Sequence, residues 1–111
     1  MRLRQYGPSL ALFDQLLAVN AGDADVLFAK GEVFRVRNEG DDVTQALDCY
    51  ARAIATGQAP PEAYRSTGFI HQRRRDYPAA KPFFERYLDL QPTADDAEAI
   101  RSYISEGARG A

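Results

Sequence analysis

Apolar residues recur along this chain at helical spacing. Leu10, Phe13, Leu16-Leu17 and Val19 form one such set, preceded by Ser9. Ala46-Leu47, Tyr50 and Ala53-Ile54 form a second, and Ala80, Phe84, Tyr87-Leu88 and Leu90 a third. Val and Ile are scattered, and no run alternates for long enough to suggest a strand. The pattern predicts six helices, over residues 8–19, 24–37, 42–56, 61–74, 78–90 and 94–106. The breaks carry helix-start chemistry. Asp23 is an expected N-cap, Asp42 with Gln45 reads as a near capping box, and Thr93 is an expected cap with Asp96 following. Pro61 suits a first helical position, where its missing N–H removes no bond. Short loops between successive helices imply antiparallel neighbours.

One stretch resists this reading. "DYPAAKPFFERYLDLQP", residues 76–92, has helical apolar spacing but contains Pro78 and Pro82 and ends on Pro92. Pro78 fits a first turn. Pro82 lies beyond it, where proline removes a backbone bond and clashes with the preceding turn. A loosened or kinked opening turn is therefore expected around 78–82.

The segments also repeat. The three apolar sets align at offsets of 37 and 34 residues, and "VLFAKGEVFRVR" aligns with "AYRSTGFIHQRR", placing Gly31 over Gly68. A mid-helix glycine costs about 1 kcal/mol relative to alanine. It is tolerated where another helix must come close, with Ala46 and Ala80 as small partners and Tyr50 and Phe84 filling space one turn on. Such a hairpin cannot bury both its faces alone, so stacking is needed to close the core.

In these positions the chain resembles the tetratricopeptide repeat family. Residues 61–94 fit that 34-residue signature without a gap through Tyr64, Gly68, Ala80, Phe84 and Pro92, with Thr67 and His71 departing from it. Residues 24–60 fit through Leu27, Gly31, Phe34, Ala46 and Tyr50, with three extra residues around "NEGDDVT" and Gln58 in place of the proline. Residues 6–23 match a half repeat, and 95–107 look like a capping helix. The resemblance implies one all-α domain of antiparallel helix-turn-helix repeats, stacked as a short right-handed superhelix. More loosely, the chain is similar to repeat modules attached to bacterial zinc metallopeptidases and lipoproteins. Tyr87 replaces the family's usual alanine and is expected to meet the last helix near Ile100 and Tyr103.

Composition narrows the function. The chain has 111 residues, 45% of them hydrophobic, and a net charge of −2, which does not suit a nucleic-acid binder. No run approaches the roughly 20 apolar residues of a membrane span. "MRLRQYGPSL" lacks the apolar centre of a signal peptide, so the default compartment is cytoplasmic, or periplasmic or secreted if the chain is a fragment. The single cysteine, Cys49, allows no internal disulfide and reads as a half-buried apolar residue. No metalloprotease helix, phosphate loop or nucleophile elbow occurs, so no catalytic residue, metal or cofactor is expected. His71, the one histidine, occupies a packing position. Arg73–Arg75 read as a solvated helix end, with an acidic partner as the alternative.

The resemblance implies a non-catalytic scaffold that binds a peptide or partner protein in a groove lined by the first helix of each repeat. The matching positions are Asp25, Phe28, Glu32 and Arg35, then Arg65, Phe69, Gln72 and Arg73. Spacings of three and four put each set on one helical face. Phe28 and Phe69 would anchor the ligand, and Arg35, Arg65 and Arg73 would meet its carboxylates. The lysine and asparagine with which some family members grip a chaperone C-terminus are absent at Phe28 and Glu32. The alternative is a structural or assembly appendage of a larger bacterial protein such as a secreted peptidase. It would act through helix 8–19, whose Leu10, Phe13 and Leu17 lack a covering helix and would meet a preceding domain or a second copy.

Overall fold

The computed structural model describes residues 5–110; Met1–Arg4, the start of the segment weighed as a leader, lie outside them. Among the described residues there are six helices and no strand: α1 (Tyr6–Val19), α2 (Ala24–Arg37), α3 (Asp42–Ala55), α4 (Pro61–Arg73), α5 (Tyr77–Leu90) and α6 (Ala97–Gly110). Sequence neighbours pack together: α1 on α2, α2 on α3, α4 on α5 and α5 on α6. The chain divides into two compact units, and the boundary falls between Pro60 and Pro61, where the alignment begins a new repeat.

In the first unit Ala24, Leu27 and Ala53 form a buried cluster, with Leu17 and Ala59 against it. Tyr50 is fully buried and lies over Gly31. A Cβ built on Gly31 would come within 2.6 Å of Tyr50 Cε1. The second unit repeats the arrangement: a Cβ on Gly68 would come within 2.5 Å of Phe84 Cε1. Each glycine therefore makes room for an aromatic ring of the partner helix, which sits directly above it instead of one turn away. Phe84 belongs to a core of Ala80, Tyr87 and Ile100, joined by Tyr64, Phe69, Leu88 and Tyr103. Tyr87 does seat the last helix, since Ile100 packs in its cluster.

Several local expectations change. Asp23 caps α2 by accepting from the Val26 N–H at 3.2 Å. Asp42 is not a cap. Asp41 takes that place without a side-chain bond to the backbone, and Gln45 Nε2 donates to Asp41 Oδ2. Asp42, 3% exposed, instead receives Arg37 Nε and Nη2 at 2.7 and 2.8 Å and the Glu39 N–H at 3.0 Å. This fork clamps the turn from α2 to α3, where Asn38 and Gly40 adopt positive φ. The three extra residues of this repeat are shared out. α2 runs one residue further past Gly31 than α4 runs past Gly68, the turn is one longer, and α3 starts one earlier relative to Ala46. Arg37 holds the Asp42 carboxyl below its ordinary pKa, and the bond from Glu39 acts the same way against the effect of burial.

α5 begins at Tyr77, capped by Asp76, with Pro78 at its second position, and continues without a break through Pro82 to Leu90. No loosened opening turn interrupts it. The core contacts of Ala80 and Phe84 hold the turn that Pro82 cannot bond. α1 starts earlier than expected, because Pro8 falls within the first turn, where its missing donor costs nothing. α6 starts later, at Ala97. Thr93 does not cap it, because a turn with Ala94 N–H bonded to the Gln91 carbonyl comes first. Cys49 is wholly buried, 2% exposed, and burial raises its thiol pKa.

Candidate functional site

The residues singled out on α2 share one face but have unequal freedom. Asp25 is exposed in the first turn. Phe28 is half-buried, its ring 5.9 Å from that of Tyr50. Glu32 is already occupied: it accepts from Arg35 Nη2 at 2.7 Å and from the Tyr50 hydroxyl at 2.5 Å. That pairing raises the Arg35 pKa further above its ordinary value. Glu32 and Arg35 therefore hold each other and Tyr50, and neither presents a bare charge.

On α4 the division is similar. Arg65 Nη1 donates to Asp96 Oδ2 at 3.2 Å and its guanidinium lies 5.5 Å from the centroid of the Tyr87 ring. The Tyr87 hydroxyl donates to the other Asp96 oxygen at 2.8 Å. Burial, followed by this bond, raises the Tyr87 pKa. The trio ties α4 and α5 to the segment leading into α6. Phe69 is half-buried, edge-on to Phe84 at 5.4 Å and to Tyr103 at 5.8 Å. Its ring is part of the core that seats α6, not a free anchor. Gln72 and Arg73 are different. Their side chains have no hydrogen-bond or ion-pair partner among the described residues, and Arg73 is exposed. With Arg75, Tyr77, Tyr103 and Glu106 they line a polar cleft of about 280 Å³.

The arginine run ends α4. Arg75 N–H bonds the Gln72 carbonyl and Asp76 N–H bonds the His71 carbonyl, with Arg75 at φ 59°. This is the paired C-terminal closure that usually places glycine at the left-handed position. His71 stacks on Phe83 at 5.8 Å, a packing role.

Leu10, Phe13 and Leu17 of α1 are half-buried, with Leu17 against the first core, while Leu12, Leu16 and Val19 are exposed. The uncovered stripe of α1 thus lies beside the one expected. Lys30 on α2 also pairs with Asp14 on α1 at 2.8 Å, a surface contact between the two helices.

α6 contributes to the clefts beside α4 and α5, a role beyond the capping expected of it. Tyr103, Glu106 and Gly107 face them. A signal was present: Tyr103-Ile104-Ser105-Glu106-Gly107 repeats the spacing of Tyr64-Arg65-Ser66-Thr67-Gly68. Among the described residues no group of three or more His, Cys, Asp or Glu is placed to hold a metal, and no helix is long and apolar enough to cross a membrane.

The family model of the tetratricopeptide repeat matches residues 35–105, well over half of the chain. The chain belongs to the tetratricopeptide repeat family. The match spans the lengthened turn, α3, the ungapped repeat from Pro61 and most of α6. No curated protein matches the chain. Tetratricopeptide repeats are in general protein-interaction modules, typically without catalytic activity, and they bind proteins or peptides.

Proposed function

We propose that this tetratricopeptide repeat protein is a non-catalytic adaptor that binds a peptide or partner protein through the exposed face of α4, with α2 of the other unit offering a like face. The observation that carries this reading is the uncommitted polar edge of α4. Gln72 and Arg73 stand exposed or half-exposed without internal partners, while the neighbouring Arg65 is held by Asp96. Asp25 supplies a similar free group on α2. On α4 a ligand would lay an apolar group against the accessible edge of Phe69 and pair a carboxylate with Arg73. On α2 the edge of Phe28 and the carboxylate of Asp25 offer an apolar contact beside a charge of opposite sign, suited to a basic group of the ligand.

Peptide selection from a displayed library against the whole chain tests the proposal. The control is an Asp25→Arg, Gln72→Ala, Arg73→Glu variant, all at positions outside the core. Arg65 and Phe69 are unsuitable for this purpose because their loss would loosen α6. Selected peptides should bind the parent and lose at least tenfold in affinity on the variant, with far-UV circular dichroism unchanged. Equal affinity for both proteins would overturn the assignment.

The exposed Leu12, Leu16 and Val19 support a second reading, assembly through α1 with a neighbouring domain or a second copy. Light scattering on the parent and a Leu12→Glu, Leu16→Glu variant decides it. A concentrated parent that is monomeric and binds no apolar dye would refute it.

A further inference from the structure

A second cleft lies between α5 and α6. Its volume is about 250 Å³. Ala80, Phe84 and Gly107, all buried, line it together with Tyr77, Tyr103 and Ile104. Lys81 stands exposed at its edge. The size decides what kind of guest fits. A cavity of roughly 150 Å³ holds a benzene ring, whereas drug-sized ligands occupy about 300–1,000 Å³. This volume suits one large apolar side chain.

The polar cleft that carries Arg73 and Arg75 shares Gln72, Tyr77 and Tyr103 with it. Three cations, Arg73, Arg75 and Lys81, thus border the two clefts against one carboxylate, Glu106. None of the three has an ion-pair partner among the described residues. The chain as a whole is acidic, so this is a local excess of positive charge. Arg75 also stands at a left-handed position that folding alone would give to glycine.

We propose that the α5–α6 cleft docks an acidic segment of a partner protein. The segment inserts one phenylalanine or leucine between Tyr77 and Ile104 and sets its carboxylates against Arg75 and Lys81. The apolar side chain gives affinity by leaving water, and the basic rim selects acidic flanks and speeds encounter.

The probe is an amidated peptide with one phenylalanine between pairs of glutamates, titrated into the ¹⁵N-labelled full chain. Shift changes should gather at Tyr77, Ile104, Gly107 and Ala108. They should weaken strongly at about 1 M salt, where screening acts within roughly 3 Å. Analogues with alanine for the phenylalanine, or lysines for the glutamates, should bind at least several-fold more weakly. Ala108→Trp, a change at an exposed position on the cleft edge, should fill the cleft and abolish the changes. Arg75→Gly with Lys81→Glu should weaken binding roughly two- to tenfold while leaving the unfolding midpoint unchanged or higher. A purely structural role for Arg75 would not separate the two readouts in that way. Equal binding of all three peptides, or of the parent and both variants, would overturn the proposal. Shift changes at Asp25, Phe28 and Phe69 with Tyr77, Ile104, Gly107 and Ala108 unmoved would also overturn it, while leaving the α2 and α4 reading intact.

Discussion

Gly68→Ala isolates the packing that defines each helix pair. On helix propensity alone, alanine should stabilise a mid-helix site by about 1 kcal/mol. The structure predicts the opposite sign. The new Cβ would lie 2.5, 2.6 and 3.1 Å from Cε1, Cδ1 and Cγ of Phe84. Carbon pairs sit comfortably at about 3.5–4.0 Å, so the ring must retreat by about 1 Å. Phe84 is 2% exposed with Phe69 and Tyr103 against it, so the ring can yield only by displacing those neighbours or shifting towards the α5–α6 cleft. Overpacking costs about 1–3 kcal/mol, and a clash this close belongs in the upper part of that range. Set against the propensity gain, the net loss is about 1–2 kcal/mol. Urea unfolding followed by circular dichroism would show it as a fall in midpoint of about 1 M, given a slope near roughly 1.5 kcal/mol/M. The glycine series should be ordered. Gly31→Ala should behave like Gly68→Ala, because Tyr50 Cε1 stands 2.6 Å from its Cβ. Gly107→Ala should be milder, its nearest atom being Tyr77 Cβ at 3.0 Å. Gly7→Ala meets nothing within 4 Å and should be neutral or stabilising. Adding Phe84→Leu to Gly68→Ala should recover part of the loss, a coupling of about 1 kcal/mol. A stabilised Gly68→Ala protein, or strict additivity in that cycle, would refute the reasoning.

Two further outcomes are expected. Pro82→Ala, at an exposed position, restores the N–H that would bond the Pro78 carbonyl and should raise stability by about 2 kcal/mol. A cost of roughly 3 kcal/mol for internal proline, less about 0.4–1 for the stiffer unfolded chain, sets that size, and a thermal melt reads it. Asp42→Asn removes the charged acceptor for Arg37 and should cost about 1.5–3 kcal/mol at neutral pH by urea unfolding. Because the folded pKa of Asp42 lies below that of the unfolded chain, its contribution is present above about pH 4. It is lost as pH falls through the folded value. The parent should therefore lose stability in acid more steeply than the variant; identical acid profiles would sink the assignment.

The helices were largely legible because apolar periodicity is local. α2 appears with the predicted bounds, and α3 and α4 end one residue short of theirs. Misreadings gathered at ends and at charges. Thr93 looked like a cap, but the backbone turned through Ala94 before α6 could start. Pro82 looked like a break, but core contacts on the opposite side of α5 hold the helix through it. Arg65 and Arg35 looked like ligand-facing charges. Asp96 lies 31 residues beyond Arg65, outside any local pattern, whereas Glu32 stands three residues before Arg35, a helical pair that spacing alone could have shown. On α1, the way the helix rolls against α2 turns Leu10, Phe13 and Leu17 towards cover and leaves Leu12 and Leu16 exposed. Both sets keep helical spacing, so the periodicity alone could not choose between them.

The sequence by itself determined the six helices, their repetition, and Gly31 and Gly68 as points of close helix approach. Each of these follows from side-chain volume at fixed spacing along a helix. That Tyr50 and Phe84 lie over those glycines came from the packing. Only the tertiary structure decided which charges are spent on the fold and which remain available. Arg65 reaches an aspartate brought close by the turn after α5, while Arg73 and Arg75 find no such partner among the described residues. Long side chains and turn geometry settle that choice, and neither leaves a period in the sequence.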